Sequence, residues 1–189
     1  QNTEDLRHFI GLQQLSIGDM NPVPGIHMPP VSLSGLVYCH GLQVLTIGGL
    51  ETENQEALML SNLAVLSLSD VPLDTMELLG QLTALENLEL YRYDLPDLSP
   101  LTDLRELKTL VLSGCQIGSL EPLAQLPELK NLKLDGKAMY PSLEPLAEMK
   151  LEFLSLNCES LPVGTDAYDH LDYTPLTKIP TLICLDLAN

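Results

Sequence analysis

The chain has 189 residues, of which 26 are acidic and 9 basic, for a formal net charge of −17. That balance argues against a nucleic-acid partner, because phosphate binding needs clustered Lys and Arg to displace counterions, and against docking on an anionic membrane surface. It is compatible with a basic protein partner, and equally with nothing more than a well-solvated surface.

In chain order, the pattern L-x-x-L-x-[LI] opens at Leu12, Leu42, Leu63, Leu85, Leu107, Leu129, Leu151 and Leu182, and from Leu63 to Leu151 the interval is 22 residues throughout. An apolar column precedes it at Phe9, Cys39, Leu60, Leu82, Leu104, Leu126, Met149 and Ile179. Another comes before that, at Leu6, Leu36, Ala57, Leu79, Leu101, Leu123, Leu146 and Leu176. Three aligned apolar columns at one period are the mark of stacked units, none of which can bury its leucines alone. In each unit the L-x-L segment predicts a short strand with its leucines inward and the residue between them outward. Stacked in parallel at about 4.8 Å, eight such strands span roughly 35–40 Å.

The segments returning to the next strand share a second signature, seen in Ser99-Pro100-Leu101, Glu121-Pro122-Leu123, Glu144-Pro145-Leu146 and Thr174-Pro175-Leu176. Pro is favoured at the first helical position, after a Ser or Thr that can cap it. With so few residues before the next strand, the product is a short helical or 3-10 turn.

The leucine offsets and the period resemble the leucine-rich-repeat family. The P-L-x-x-L return beside a 22-residue interval is similar to its bacterial internalin-like subclass. The fold this implies is an α/β solenoid of about eight units over residues 1–189, with a parallel β-sheet on the concave face and short 3-10 or helical turns on the convex face. One departure concerns the turn after each strand, where the family places an Asn that bonds neighbouring coils. Here that column reads Met20, Leu50, Val71, Tyr93, Cys115, Lys137 and Glu159, so those turns must satisfy their backbone groups in another way.

Two units are longer than the rest, with insertions expected at 21–35 and 162–174. Insertions in repeat arrays map to surface loops, whether binding elements or inert ones. Leu6–Phe9 already behaves as a return segment and the chain stops soon after Leu187, with no polar cap at either end. The expectation is a segment of a longer protein.

No catalytic or metal-binding signature accompanies the array, and no cofactor is implied. His8, His27, His40 and His170 fall in different columns, and Asp166, Asp169, His170 and Asp172 match no calcium-loop spacing. No apolar run is long enough to cross a bilayer. Of the cysteines, Cys39 and Cys115 are expected inward, Cys158 in a turn and Cys184 outward, with no C-x-x-C pair for zinc.

Binding is therefore the better expectation, and the resemblance implies the concave face as its site. The outward pairs are Gln14/Ser16, Val44/Thr46, Val65/Ser67, Asn87/Glu89, Thr109/Val111, Asn131/Lys133, Phe153/Ser155 and Cys184/Asp186. From the fourth unit the face becomes charged and amide-rich. Glu89-Leu90-Tyr91-Arg92-Tyr93 gathers aromatics and Arg, residue types enriched at interface hot spots. An alternative role for Tyr93 is to fill the vacant Asn position. Phe153 is a large apolar residue at an outward position. The candidate partner-binding set is Asn87, Glu89, Tyr91, Arg92, Asn131, Lys133 and Phe153. The function expected is a non-catalytic protein-recognition module of a bacterial cell-surface or secreted protein. The alternatives are an intracellular sensor domain restraining an attached enzyme and a purely structural spacer.

Overall fold

The structure is a computed structural model that describes residues 3–19, 29–59, 62–136, 142–158 and 172–187. Eight strands form one parallel sheet in strict chain order. They are β1 (Gln14–Gly18), β2 (Val44–Gly48), β3 (Val65–Ser69), β4 (Asn87–Tyr91), β5 (Thr109–Ser113), β6 (Asn131–Gly136), β7 (Phe153–Cys158) and β8 (Cys184–Asp186).

The register keeps every leucine column intact. Leu45, Leu66, Leu88, Leu110, Leu132 and Leu154 lie side by side across six strands and are fully buried. Ile47, Leu68, Leu90, Leu112 and Leu134 form the same kind of row two residues further on. Because the side-chain period of a strand is two, a one-residue slip would turn all of these outward, so burial fixes the pairing. Each buried leucine contributes about 1.5–3 kcal/mol relative to an exposed one, through neighbours in the adjacent coils. Towards either end of the described residues burial falls off. Phe9 heads its column yet is exposed, and Leu185 on β8 is 43% exposed where its counterparts to the fourth preceding strand are buried.

The return segments are the expected short turns. Ser99–Asp103, Glu121–Gln125, Glu144–Leu146 and Thr174–Lys178 are 3-10 helices with Pro at the start, and among the described residues only Glu77–Gly80 makes a single α-helical turn. The residue before Pro is not the cap, however. Asp97 Oδ1 accepts the N–H of Ser99 at 2.8 Å, Ser119 Oγ that of Glu121 at 3.2 Å, Ser142 Oγ that of Glu144 at 3.0 Å, and Asp172 Oδ1 that of Thr174 at 2.8 Å. Each turn is held by an Asp or Ser two residues ahead of its first residue, a local bond that these short side chains form readily. The sequence signal is therefore [DS]-[LY]-[STE]-P-L.

The turn column lacking Asn is satisfied by different groups in different coils. The Tyr93 hydroxyl donates to the Val71 carbonyl at 2.7 Å, and the buried Cys115 thiol donates to the Leu90 carbonyl at 3.4 Å. Gln55, 1% exposed, donates through Nε2 to Thr52 Oγ1 and to the Pro72 carbonyl, and accepts the Asp74 N–H at 2.9 Å. One position earlier the chain turns through the left-handed region, at Gly49 (φ 65°), Asp70 (49°), Arg92 (63°) and Gly114 (66°). Glycine holds two of these four places because a Cβ there is disfavoured.

Of the first expected insertion, residues 20–28 lie outside the described residues. Val31–Ser32 pair with Thr52–Glu53, and Ser34–Tyr38 form a 3-10 helix, so its last part belongs to a regular coil. Of the second, 159–171 lie outside the described residues and Thr174 begins a helix. Met20, Lys137 and Glu159 of the turn column, with His27 and His170, also lie outside them. Cys39 is buried and Cys184 exposed as expected. Cys158 is the last residue of β7, paired with Gly136, rather than a turn residue. The expectation stopped the strand at the final leucine, whereas pairing with β6 carries it two residues further.

Candidate protein-recognition surface

Because alternate residues of a strand share a face, each five-residue strand presents three side chains to the concave side. Across the sheet these form three rows. Gln14, Val44, Val65, Asn87, Thr109, Asn131, Phe153 and Cys184 make the first. The second runs Ser16, Thr46, Ser67, Glu89, Val111, Lys133, Ser155 and Asp186. The third row, which a scan of two residues per strand missed except for Tyr91, holds Gly18, Gly48, Ser69, Tyr91, Ser113, Asp135 and Asn157. Its signal was present in the sequence, since it is the residue following each L-x-L.

Six of the seven nominated residues, Asn87, Glu89, Tyr91, Asn131, Lys133 and Phe153, are half-buried on this face, and Arg92 is exposed at its edge. They form two groups. On β4, Glu89 Oε2 accepts from Ser67 Oγ at 3.0 Å and from the Tyr91 hydroxyl at 3.1 Å. Burial, then the charge and hydrogen bond of Glu89, push the Tyr91 hydroxyl up to about 12, so it stays protonated and donates. Arg92 pairs through Nε with Asp70 and donates through Nη2 to Ser69 Oγ at 2.7 Å. Its neighbour Tyr93 fills the vacant Asn position, and burial raises its hydroxyl further still. On β6, Lys133 Nζ lies 3.8 Å from Asp135 Oδ2, which also accepts from Ser113 Oγ at 3.3 Å. Asn131 Nδ2 donates to Thr109 Oγ1 at 3.2 Å.

Phe153 belongs to the first row and Tyr91 to the third, three strands apart, so the two are about 20 Å from one another on the diagonal. The structure thus places them on one face without bringing them into one cluster. The rim preceding the strands is self-satisfied: Lys108 pairs with Glu86 and Lys130 with Glu152, both at 2.8 Å, and these carboxylates raise both lysines.

The architecture is a leucine-rich-repeat solenoid. No protein-family model matches the chain, and no curated protein sequence does. Solved structures do. Internalin C2 of Listeria monocytogenes superposes with a TM-score of 0.57 at 23% identity, over 87% of this chain and 77% of its own. A leucine-rich-repeat protein of Leptospira interrogans gives 0.64 at 23% identity, over 86% of this chain and 40% of its own. The ectodomain of the Arabidopsis thaliana receptor kinase GASSHO1/SCHENGEN3, solved in complex with Casparian strip integrity factor 2, gives 0.60 at 19% identity, over 98% and 25%. The chain thus spans less than half the length of the last two. At such identities the likeness defines the fold.

Proposed function

We propose that the chain is a non-catalytic recognition module that binds a protein partner on its concave sheet face, between β4 and β7. The observation that carries this is the composition of the face itself. Phe153, Val111 and Tyr91 remain partly open on a regular sheet, interspersed with Glu89, Arg92, Asn131 and Lys133 held by their own bonds. A pre-set polar pattern around apolar and aromatic side chains is what an interface core with a polar rim requires. The likeness to a receptor ectodomain solved in complex supports the same view. The reading extends, on the internalin-like pattern of the repeats, to a module carried on a larger bacterial cell-surface or secreted protein.

The test is affinity capture from source and host extracts, comparing the chain with a Tyr91→Ala, Arg92→Ala, Phe153→Ala triple variant of unchanged circular dichroism. A partner captured by the parent and lost by the variant supports the concave face. A partner held equally by both moves the site elsewhere.

A further inference from the structure

Resting on that reading, we propose that the trough along β5 takes a lysine or arginine side chain presented by the protein partner. The floor of the trough is Thr109, Val111 and Ser113, three modest side chains half-buried in a line. Its walls are Asn87, Glu89 and Tyr91 on β4 and Asn131, Lys133 and Asp135 on β6, the nearest neighbours on either side by register. Two strand spacings separate the walls, about 9.6 Å between backbones, enough for one extended side chain and too little for a helix.

The chemistry of the walls selects the occupant. Glu89 is fixed by two donors, Ser67 and Tyr91, and both bond to the same oxygen, Oε2. Asp135 is likewise engaged through Oδ2 alone, by Ser113 and by Lys133. Each carboxylate therefore keeps a second oxygen to which no protein group donates among the described residues. A guanidinium or ammonium placed between them gains charge-assisted bonds to acceptors that are already oriented. The aliphatic stem that carries it lies over Val111, in the way long basic side chains cover apolar surface.

Lys133 Nζ approaches Asp135 only to 3.8 Å, beyond good hydrogen-bond range. An acidic occupant is disfavoured, because Glu89 and Asp135 outnumber Lys133 and Arg92 is engaged by Asp70 and Ser69 at the strand's end. The net charge of −17 adds long-range attraction for a basic segment.

The isotope-labelled full chain is titrated, with amide shifts followed by NMR, with the blocked peptide Gly-Ser-Arg-Ser-Gly and with its citrulline counterpart. The arginine peptide is expected to shift amides of β4, β5 and β6 and the neutral one to leave them still. Glu89→Gln and Asp135→Asn each weaken binding about tenfold. Lys133→Gln strengthens it, an opposite sign that no loss of folding can imitate. Equal response to the citrulline peptide, affinity unchanged in Glu89→Gln, shifts confined to the acidic turns at Asp94 and Asp97, or no response at all overturns the proposal. If the captured partner is lost in the triple variant while the arginine peptide shifts nothing, the concave-face reading stands and the basic anchor alone falls.

Discussion

Arg92 stands where the chain turns through the left-handed region, and replacing it with glycine separates its cost to the fold from its use. At φ 63° an L-residue carries a penalty of order 1–2 kcal/mol that glycine avoids. Glycine in turn loses more chain entropy on folding, roughly 0.5–1 kcal/mol. The Asp70 ion pair is 42% and 37% exposed at its two ends, which limits its worth to about 0.2–1 kcal/mol. The bond to Ser69 Oγ adds about 1 kcal/mol at most. These contributions nearly cancel, so Arg92→Gly is expected within about 1 kcal/mol of the parent, whereas Arg92→Ala, which keeps the strain and loses the bridge, falls by about 1–2 kcal/mol. Gly49 and Gly114 occupy the same place two strands before and one strand after, so glycine fits the turn.

Urea unfolding followed by circular dichroism decides the matter, read as a midpoint shift at unchanged slope. Should Arg92→Gly lose more than about 2 kcal/mol, the guanidinium bridge is a fold element and stability alone accounts for the residue. Near-neutrality would mean that glycine serves the fold here as well as arginine does, so that stability does not account for the residue.

Three further outcomes are expected. Gln55→Leu leaves the Pro72 carbonyl and the Asp74 N–H without their part-buried partner and costs about 1–3 kcal/mol in the same unfolding assay. Leu110→Ala, in a fully buried central position, costs about 2–5 kcal/mol, while Leu185→Ala on the open last strand costs less than about 1 kcal/mol, a gradient set by the number of stacked neighbours. Raising pH removes stability between about 10 and 12: the folded Tyr91 hydroxyl binds its proton more tightly than the unfolded one, so its contribution is whole below 10 and lost as pH climbs through its folded value. Tyrosinate absorbance should show Tyr91 among the late-titrating groups, and Tyr91→Phe should flatten that part of the stability curve.

The fold was legible because burial constrains the inner columns so tightly. Leu88, Leu110 and Leu132 have no alternative to their row, and any polar residue there would be buried without a partner. The caps were less legible. The expected start signal was the Ser or Thr before Pro, yet Asp97, Ser119, Ser142 and Asp172 hold the turns from two positions earlier. The missing Asn column could be read as a question but not answered from one column alone. Tyr93 reaches across to a neighbouring coil, and Gln55 lies in a different column altogether.

The concave face was read least well, and the reason is the lag at which it is organised. Ser67 meets Glu89, Asp70 meets Arg92, Thr109 meets Asn131 and Ser113 meets Asp135, each pair 22 residues apart. A reading along the chain takes Tyr91-Arg92-Tyr93 as one cluster because the three are adjacent. In the sheet their polar groups diverge, to Glu89, to Asp70 with Ser69, and to the Val71 carbonyl. Tyr93 is spent inside the solenoid, Arg92 is engaged at its exposed edge, and only the Glu89–Tyr91 wall faces the β5 trough. At a lag of 22 the outward residues line up across the strands, Glu89 facing Lys133 over Val111 and Tyr91 facing Asp135 over Ser113. In a stacked array the period itself supplies the second dimension of the surface, and chemistry assigned to outward residues without it groups chain neighbours that the structure keeps apart.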